Sequence, residues 1–157
     1  MLKKGDIILI KYKKLDLLGW VIRKITHSNY NHVAWAISDT HYLEVVGIGI
    51  LIRPLKRLEN KFLFEIKIRR IKNINSRKLN RAVDYAIFQN SRALRITLWI
   101  TFILLAIGYK GKRPRLTCSG LIATCLAKVH WYFNQKKKPE DIIPKDIEKC
   151  TKLKVLK

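Results

Sequence analysis

A chain of 157 residues in which 48% of side chains are hydrophobic is long enough for one domain with its own core, which excludes a disordered polyelectrolyte. The 33 lysines and arginines, set against 11 acids, leave a net charge of +22 and point to polyanionic partners: nucleic acid, anionic lipid headgroups or acidic wall polymers. These cations run from Lys3 to Lys157 without gathering into a block, so they do not form a basic tail.

Met1-Leu2-Lys3-Lys4-Gly5-Asp6 places a glycine and an acid where an exported chain carries its apolar run, so no Sec signal is expected. The expected location is the cytoplasm, or a site reached by lysis, a non-Sec route or a virus particle, with peripheral membrane association left open. Gly5-Asp6-Ile7-Ile8-Leu9-Ile10-Lys11-Tyr12 reads as a turn and a short, largely buried strand. Leu17, Leu18, Val21, Ile22 and Ile25 then recur at helical spacing between Asp16 and Thr26, and Ser28-Asn29-Tyr30-Asn31 is a loop by composition.

A β-rich stretch follows. His32 to Ile37 reads as a strand, Ser38-Asp39-Thr40 as a turn and His41 to Val46 as the return strand of a hairpin; Gly47 to Ile52 continues as a third. Phe62, Phe64, Ile66 and Ile68 alternate with Leu63, Glu65, Lys67 and Arg69, predicting a strand from Phe62 onward. The expected fold class is α+β, with a small antiparallel sheet or half-barrel packed against helices.

In the second half Leu79, Ala82, Val83, Ala86, Ile87 and Asn90 mark one face of an amphipathic helix capped by Asn75 or Ser76, its other face carrying Arg77, Lys78, Arg81 and Asp84. The uncharged run Ile96 to Tyr109, 14 residues, is shorter than the ~18 a membrane span needs. It reads as a buried core helix; the competing reading is an interfacial segment whose flanking Arg92, Arg95, Lys110, Lys112 and Arg113 meet anionic headgroups. Thr117 then caps a helix in which Leu121, Ile122, Cys125, Leu126 and Val129 share a face. A basic loop, Asn134 to Pro139, leads into a turn and short helix near Glu140 to Ile147, and Lys154-Val155-Leu156 reads as a last strand.

Cys118, Cys125 and Cys150 are odd in number and contain no CxxC pair, so neither a disulfide framework nor a zinc site is expected, and no cofactor. Cys118 falls in the first turn of its helix, where free amide hydrogens and the positive end of the dipole favour a thiolate. The competing reading is an ordinary small buried residue. A nucleophilic thiol needs a base and a group to orient that base. Of the four histidines, His130 lies roughly 18 Å along the helix axis from Cys118 at 1.5 Å per residue, His27 sits in a polar loop and His41 beside a turn. His32 opens an apolar strand. Glu44 is the one acid of the return strand, and it shares a face with His32 if the hairpin has a three-residue connection but not if it has two.

Lys4-Gly5-Asp6-Ile7-Ile8-Leu9, Ser28 to Ala34, Tyr42 to Ile50, Thr117 to Ile122 and Pro144-Lys145-Asp146-Ile147, in that order, resemble the circularly permuted branch of the NlpC-type papain-like cysteine peptidases. That branch includes the YiiX-like proteins and is related to lecithin:retinol acyltransferase. The resemblance implies a permuted papain-like domain over residues 1–157, with Cys118 as nucleophile, His32 as general base and Glu44 as orienting acid. Backbone amides of Cys118 and Ser119 would receive the oxyanion. It further implies a thiol hydrolase acting on an amide or peptide bond, with cell-wall peptidoglycan as one substrate, or a lipid-directed acyl hydrolase or acyltransferase at a membrane surface. An anionic polymer or peptide is the expected substrate and an anionic membrane a further partner. An inactive basic module holding nucleic acid or another polyanion is the reading from a different class.

Overall fold

The computed structural model describes residues 2–13, 20, 23–24, 26–46, 49–90 and 117–156. The Ile96 to Tyr109 run, most of the expected helix at 16–26, and Gly47 and Ile48 lie outside them. Strands β1 (Ile7–Tyr12), β2 (His32–Ala36), β3 (His41–Val46), β4 (Gly49–Pro54) and β5 (Phe64–Ile71) are followed by helices α1 (Ser76–Asn90), α2 (Cys118–Ala127) and α3 (Pro144–Glu148) and then by strand β6 (Leu153–Leu156). The six strands form one sheet in the order β4-β3-β2-β1-β5-β6, every pair antiparallel. The fold is α+β, as the sequence predicts.

The unbroken apolar run of β1 follows from its central place, since both faces of the sheet are covered there. Ile7 and Leu9 join Val33, Trp35, Leu43 and Val45 beneath Ala82, Val83 and Ala86 of α1 and Ile122 and Leu126 of α2. Ile8 and Ile10 face the other way, against Ala34, Ala36, Tyr42, Phe64 and Leu58, the last from a short 3-10 turn at Leu55–Glu59. Asn75 caps α1, its Oδ1 accepting from Arg77 N at 2.8 Å. Gly5 has φ +91°, a conformation that frees its carbonyl to accept from the Trp35 indole at 3.1 Å.

One expectation needs correction. Phe62 and Leu63 are not in β5: Asn60 captures them in a turn, its Oδ1 accepting from Phe62 N (3.1 Å) and its carbonyl from Leu63 N (3.1 Å) and Phe64 N (3.0 Å). The alternation along β5 also does not separate inside from outside. Ile66 is exposed, whereas Arg69, on the face opposite Ile68, is buried and donates to the Glu148 carbonyl of α3.

The loop before His32 is held from two sides. Glu148 accepts from Ser28 Oγ (3.0 Å) and Asn29 Nδ2 (2.9 Å), and Asn31 Oδ1 accepts from Tyr12 N (3.2 Å). The start of β2 is therefore fixed by side-chain bonds as well as by its strand partners.

Candidate active site

The hairpin from β2 to β3 closes with Ile37 N donating to His41 O at 3.0 Å, leaving Ser38-Asp39-Thr40 as a three-residue connection. Ser38 Oγ stabilises it by accepting from the amides of Thr40 (3.2 Å) and His41 (2.9 Å). This connection sets Ala34 opposite Glu44, so His32, two residues before Ala34, shares the face of Glu44. The His32 Nε2 lies 3.1 Å from Glu44 Oε2, leaving Nδ1 as the ring nitrogen for another partner.

That partner is Cys118. Thr117 caps α2 by accepting from Gly120 N at 3.0 Å, which places Cys118 in the first turn with its half-buried thiol hydrogen-bonded to His32. The amides of Ser119 and Val33 also donate to the sulfur. The Val33 amide has a structural reason to do so. Pairing of β2 with β3 runs from Ala36↔Tyr42 to Ala34↔Glu44, so the next amide toward the start of β2 turns to the thiol. Of the two amides expected for an oxyanion, that of Ser119 lies on the sulfur in this resting state, while its hydroxyl donates to Ile142 O at 2.6 Å.

Burial by itself would raise the thiol pKa, but the charge and hydrogen bond of His32 and the two amides outweigh it and hold Cys118 below its ordinary value. Burial likewise opposes charge on His32, and is outweighed by the charge and hydrogen bond of Cys118 and then by Glu44, so the imidazole is raised. Both shifts favour a proton on the imidazole over one on the thiol. Cys125, by contrast, is pushed up to about 12 by burial alone.

Glu44 is 2% exposed and carries more than one partner. Its second oxygen, Oε1, accepts from Arg53 Nε at 2.5 Å, with Arg57 Nη1 at 3.7 Å. Burial works against the carboxylate, yet His32 and then Arg53 hold its pKa below the usual carboxylate range. Tyr12 packs its ring against His32, centroids 6.1 Å apart, and Tyr42 is pushed up to about 12 by burial and the nearby Glu44 charge. Both hydroxyls stay neutral beside the triad.

Cys118, His32 and Glu44 are therefore brought together as the residue types suggest. His27, His41 and His130 are exposed. Sequence reasoning missed Arg53, Arg57, Tyr12 and the Val33 amide. A signal for Arg53 did exist, since it is the one charged residue of β4, set opposite Tyr42 and so offset by two residues from Glu44 on the same face. Among the described residues no group of three or more histidines, cysteines or acids is placed to hold a metal ion, and no helix is long and apolar enough to cross a membrane.

Gly120 keeps the cysteine helix close to its neighbour. A Cβ there would lie 2.7 Å from Thr117 Oγ1 and 3.0 Å from the Glu140 carbonyl. Gly120→Ala is expected to cost about 1–3 kcal/mol through overpacking and to slow Cys118 alkylation by displacing the cap. Thermal unfolding and thiol labelling on the same sample check both effects. Compared with protein-family profiles and with curated proteins, the chain matches none.

Proposed function

We propose that the protein is a thiol hydrolase with a permuted papain-like arrangement, histidine strand first and cysteine helix late, that cleaves an amide or peptide bond through an acyl-enzyme. The observation that carries this reading is the single imidazole shared by the Cys118 thiol and the buried Glu44 carboxylate. The thiolate attacks the substrate carbonyl carbon, and the oxygen that becomes negative turns to the Cys118 and Ser119 amides of the first turn. The carbon–nitrogen bond then breaks as His32 gives its proton to the leaving amine. Water attacks the thioester, His32 takes its proton, and the acid product leaves with the thiolate–imidazolium pair restored. Glu44 keeps the ring oriented throughout and stabilises its positive form.

The test is a mass-resolved trap. On peptidoglycan fragments or a peptide amide, an acyl adduct is expected on Cys118, and Cys118→Ser is expected to abolish both adduct and product. Product formation undiminished in Cys118→Ser, or an adduct on Cys125 or Cys150 alone, overturns the proposal. A lipid ester or amide as substrate has one observation in its favour, the 88% exposed Phe62 beside the strand end that packs against Tyr12. An idle polyanion-binding module rests on the charge of +22 and predicts binding that weakens steeply with salt.

A further inference from the structure

We propose that the end of the sheet where His32 begins docks onto an anionic lipid bilayer, with Phe62 as the inserting side chain. The proposal deepens the active-site reading, stating where Cys118 meets its substrate, and rests on that reading for this consequence alone.

The end of β1, the start of β2 and the start of β5 lie at one end of the sheet: Ile10 stands opposite His32, and Tyr12 opposite Phe64. The Tyr12 ring connects them, its centroid 6.1 Å from that of His32 and 5.3 Å from that of Phe64. The turn bearing Phe62 comes immediately before Phe64 and is tied to the end of β1, with Lys13 N donating to Leu63 O (2.9 Å) and Lys13 Nζ to Lys61 O (2.8 Å). Phe62 is thus held by a preformed turn at the end of the sheet where His32 begins, yet it is 88% exposed, the largest value among the described large hydrophobics. A ring whose backbone is already ordered loses little further freedom on insertion.

The charge around it has the matching sign. Lys56, Arg57 and Lys61 lie within six residues of Phe62 in sequence, with Glu59 the one acid between Leu55 and Leu63, and Lys13 is bonded to the turn. Among the described residues neither Lys56 nor Lys61 is paired with a carboxylate. Trp20, on the segment that follows β1, is 52% exposed, with the Lys24 ammonium 5.6 Å from its ring centre. Cations attract anionic headgroups over roughly a Debye length of 8–10 Å, and aromatic side chains then settle at the headgroup–acyl boundary. Nucleic acid also attracts cations and aromatics, but it stacks its bases on rings laid along a groove. Phe62 stands at the tip of a turn instead.

Flotation of the full chain with vesicles of phosphatidylcholine containing about one-third phosphatidylserine tests this. The chain is expected to float with these vesicles and not with phosphatidylcholine alone. Phe62→Ser is expected to lower partitioning roughly tenfold, and Lys56→Gln with Lys61→Gln to lower it by an amount that shrinks as salt rises. Unchanged thermal unfolding verifies that the exposed substitution leaves the fold intact. Absence of flotation, or equal flotation of Phe62→Ser, overturns the proposal. So does Phe62-dependent binding of a single-stranded oligonucleotide that vesicles fail to displace. Iodoacetamide labelling of Cys118 without vesicles should be the same in Phe62→Ser; an unreactive Cys118 beside Phe62-dependent flotation would sink the hydrolase and leave the docking surface standing.

Discussion

Iodoacetamide at pH 7 is expected to alkylate Cys118 on the order of a hundredfold faster than Cys125 or Cys150. The difference lies in the thiolate fraction. Cys118 is held below its ordinary pKa by His32 and two amides, whereas Cys125 is pushed up to about 12 by burial. The Cys118 rate should level off at lower pH than that of an ordinary thiol, which gains about tenfold per pH unit until it ionises near 8.5. In His32→Ala the burial of Cys118 remains but its counter-charge is gone, so its pKa rises. Labelling at pH 7 should fall, and the steep dependence on pH should return. Turnover should drop more, by roughly 10²–10⁴, because proton transfer to the leaving group is lost as well. Turnover should also decline on the alkaline side as His32 loses the proton it must deliver, a limb that alkylation lacks. Three cysteines that label alike and slowly would show that the ion pair does not form.

The second large effect is expected at the Glu44 clamp, where two substitutions should move the pH profile in opposite directions. Glu44→Gln removes a buried negative charge that supports the imidazolium and leaves Arg53 and Arg57 beside a neutral amide. The His32 pKa should fall, the alkaline limb of turnover should move to lower pH, and kcat should drop roughly 10²-fold as the ring loses its anchor. Arg53→Gln leaves the carboxylate in place without its closest counter-charge, so Glu44 acts more strongly on His32. The alkaline limb should then move to higher pH, while kcat falls by about tenfold because the carboxylate is less firmly held. A residue that merely packed at this position would lower kcat without moving the limb, so a profile that keeps its shape in Arg53→Gln refutes the clamp. The stability consequence has a definite sign. Glu44 is depressed in the fold, so its contribution is present above its unfolded value near 4.5 and is lost as pH falls through the lower folded value. Acid unfolding of Glu44→Gln should lack that component.

Much of this site can be reached from the sequence because its parts are local. Thr117 at the cap and the spacing of Leu121, Ile122, Cys125 and Leu126 define a helix that begins at Cys118, and that helix forms with every one of those four side chains buried. Ser38-Asp39-Thr40 provides the turn chemistry, and the three-residue connection decides by parity alone that His32 and Glu44 share a face. Where periodicity was read without its turns, the reading failed. Phe62 continues the alternation of β5 on paper, but Asn60 spends its side chain and carbonyl on the next residues and ends the strand at Phe64.

An α+β chain with a histidine–acid hairpin and a capped cysteine helix is written into the sequence, because hydrogen bonds and side-chain period within a few residues specify each. Tertiary structure alone decided that the two meet. α2 packs over the face that carries Val33 and Trp35, and its first turn meets His32 of the other face because the pairing of β2 with β3 begins only at Ala34, which leaves the start of β2 open and the Val33 amide for the sulfur. The order β4-β3-β2-β1-β5-β6 sets Arg53 beside Glu44 on one side and the Phe62 turn beside Tyr12 on the other. Strand order arises from burying both faces of β1, a balance over the whole chain that no local window contains.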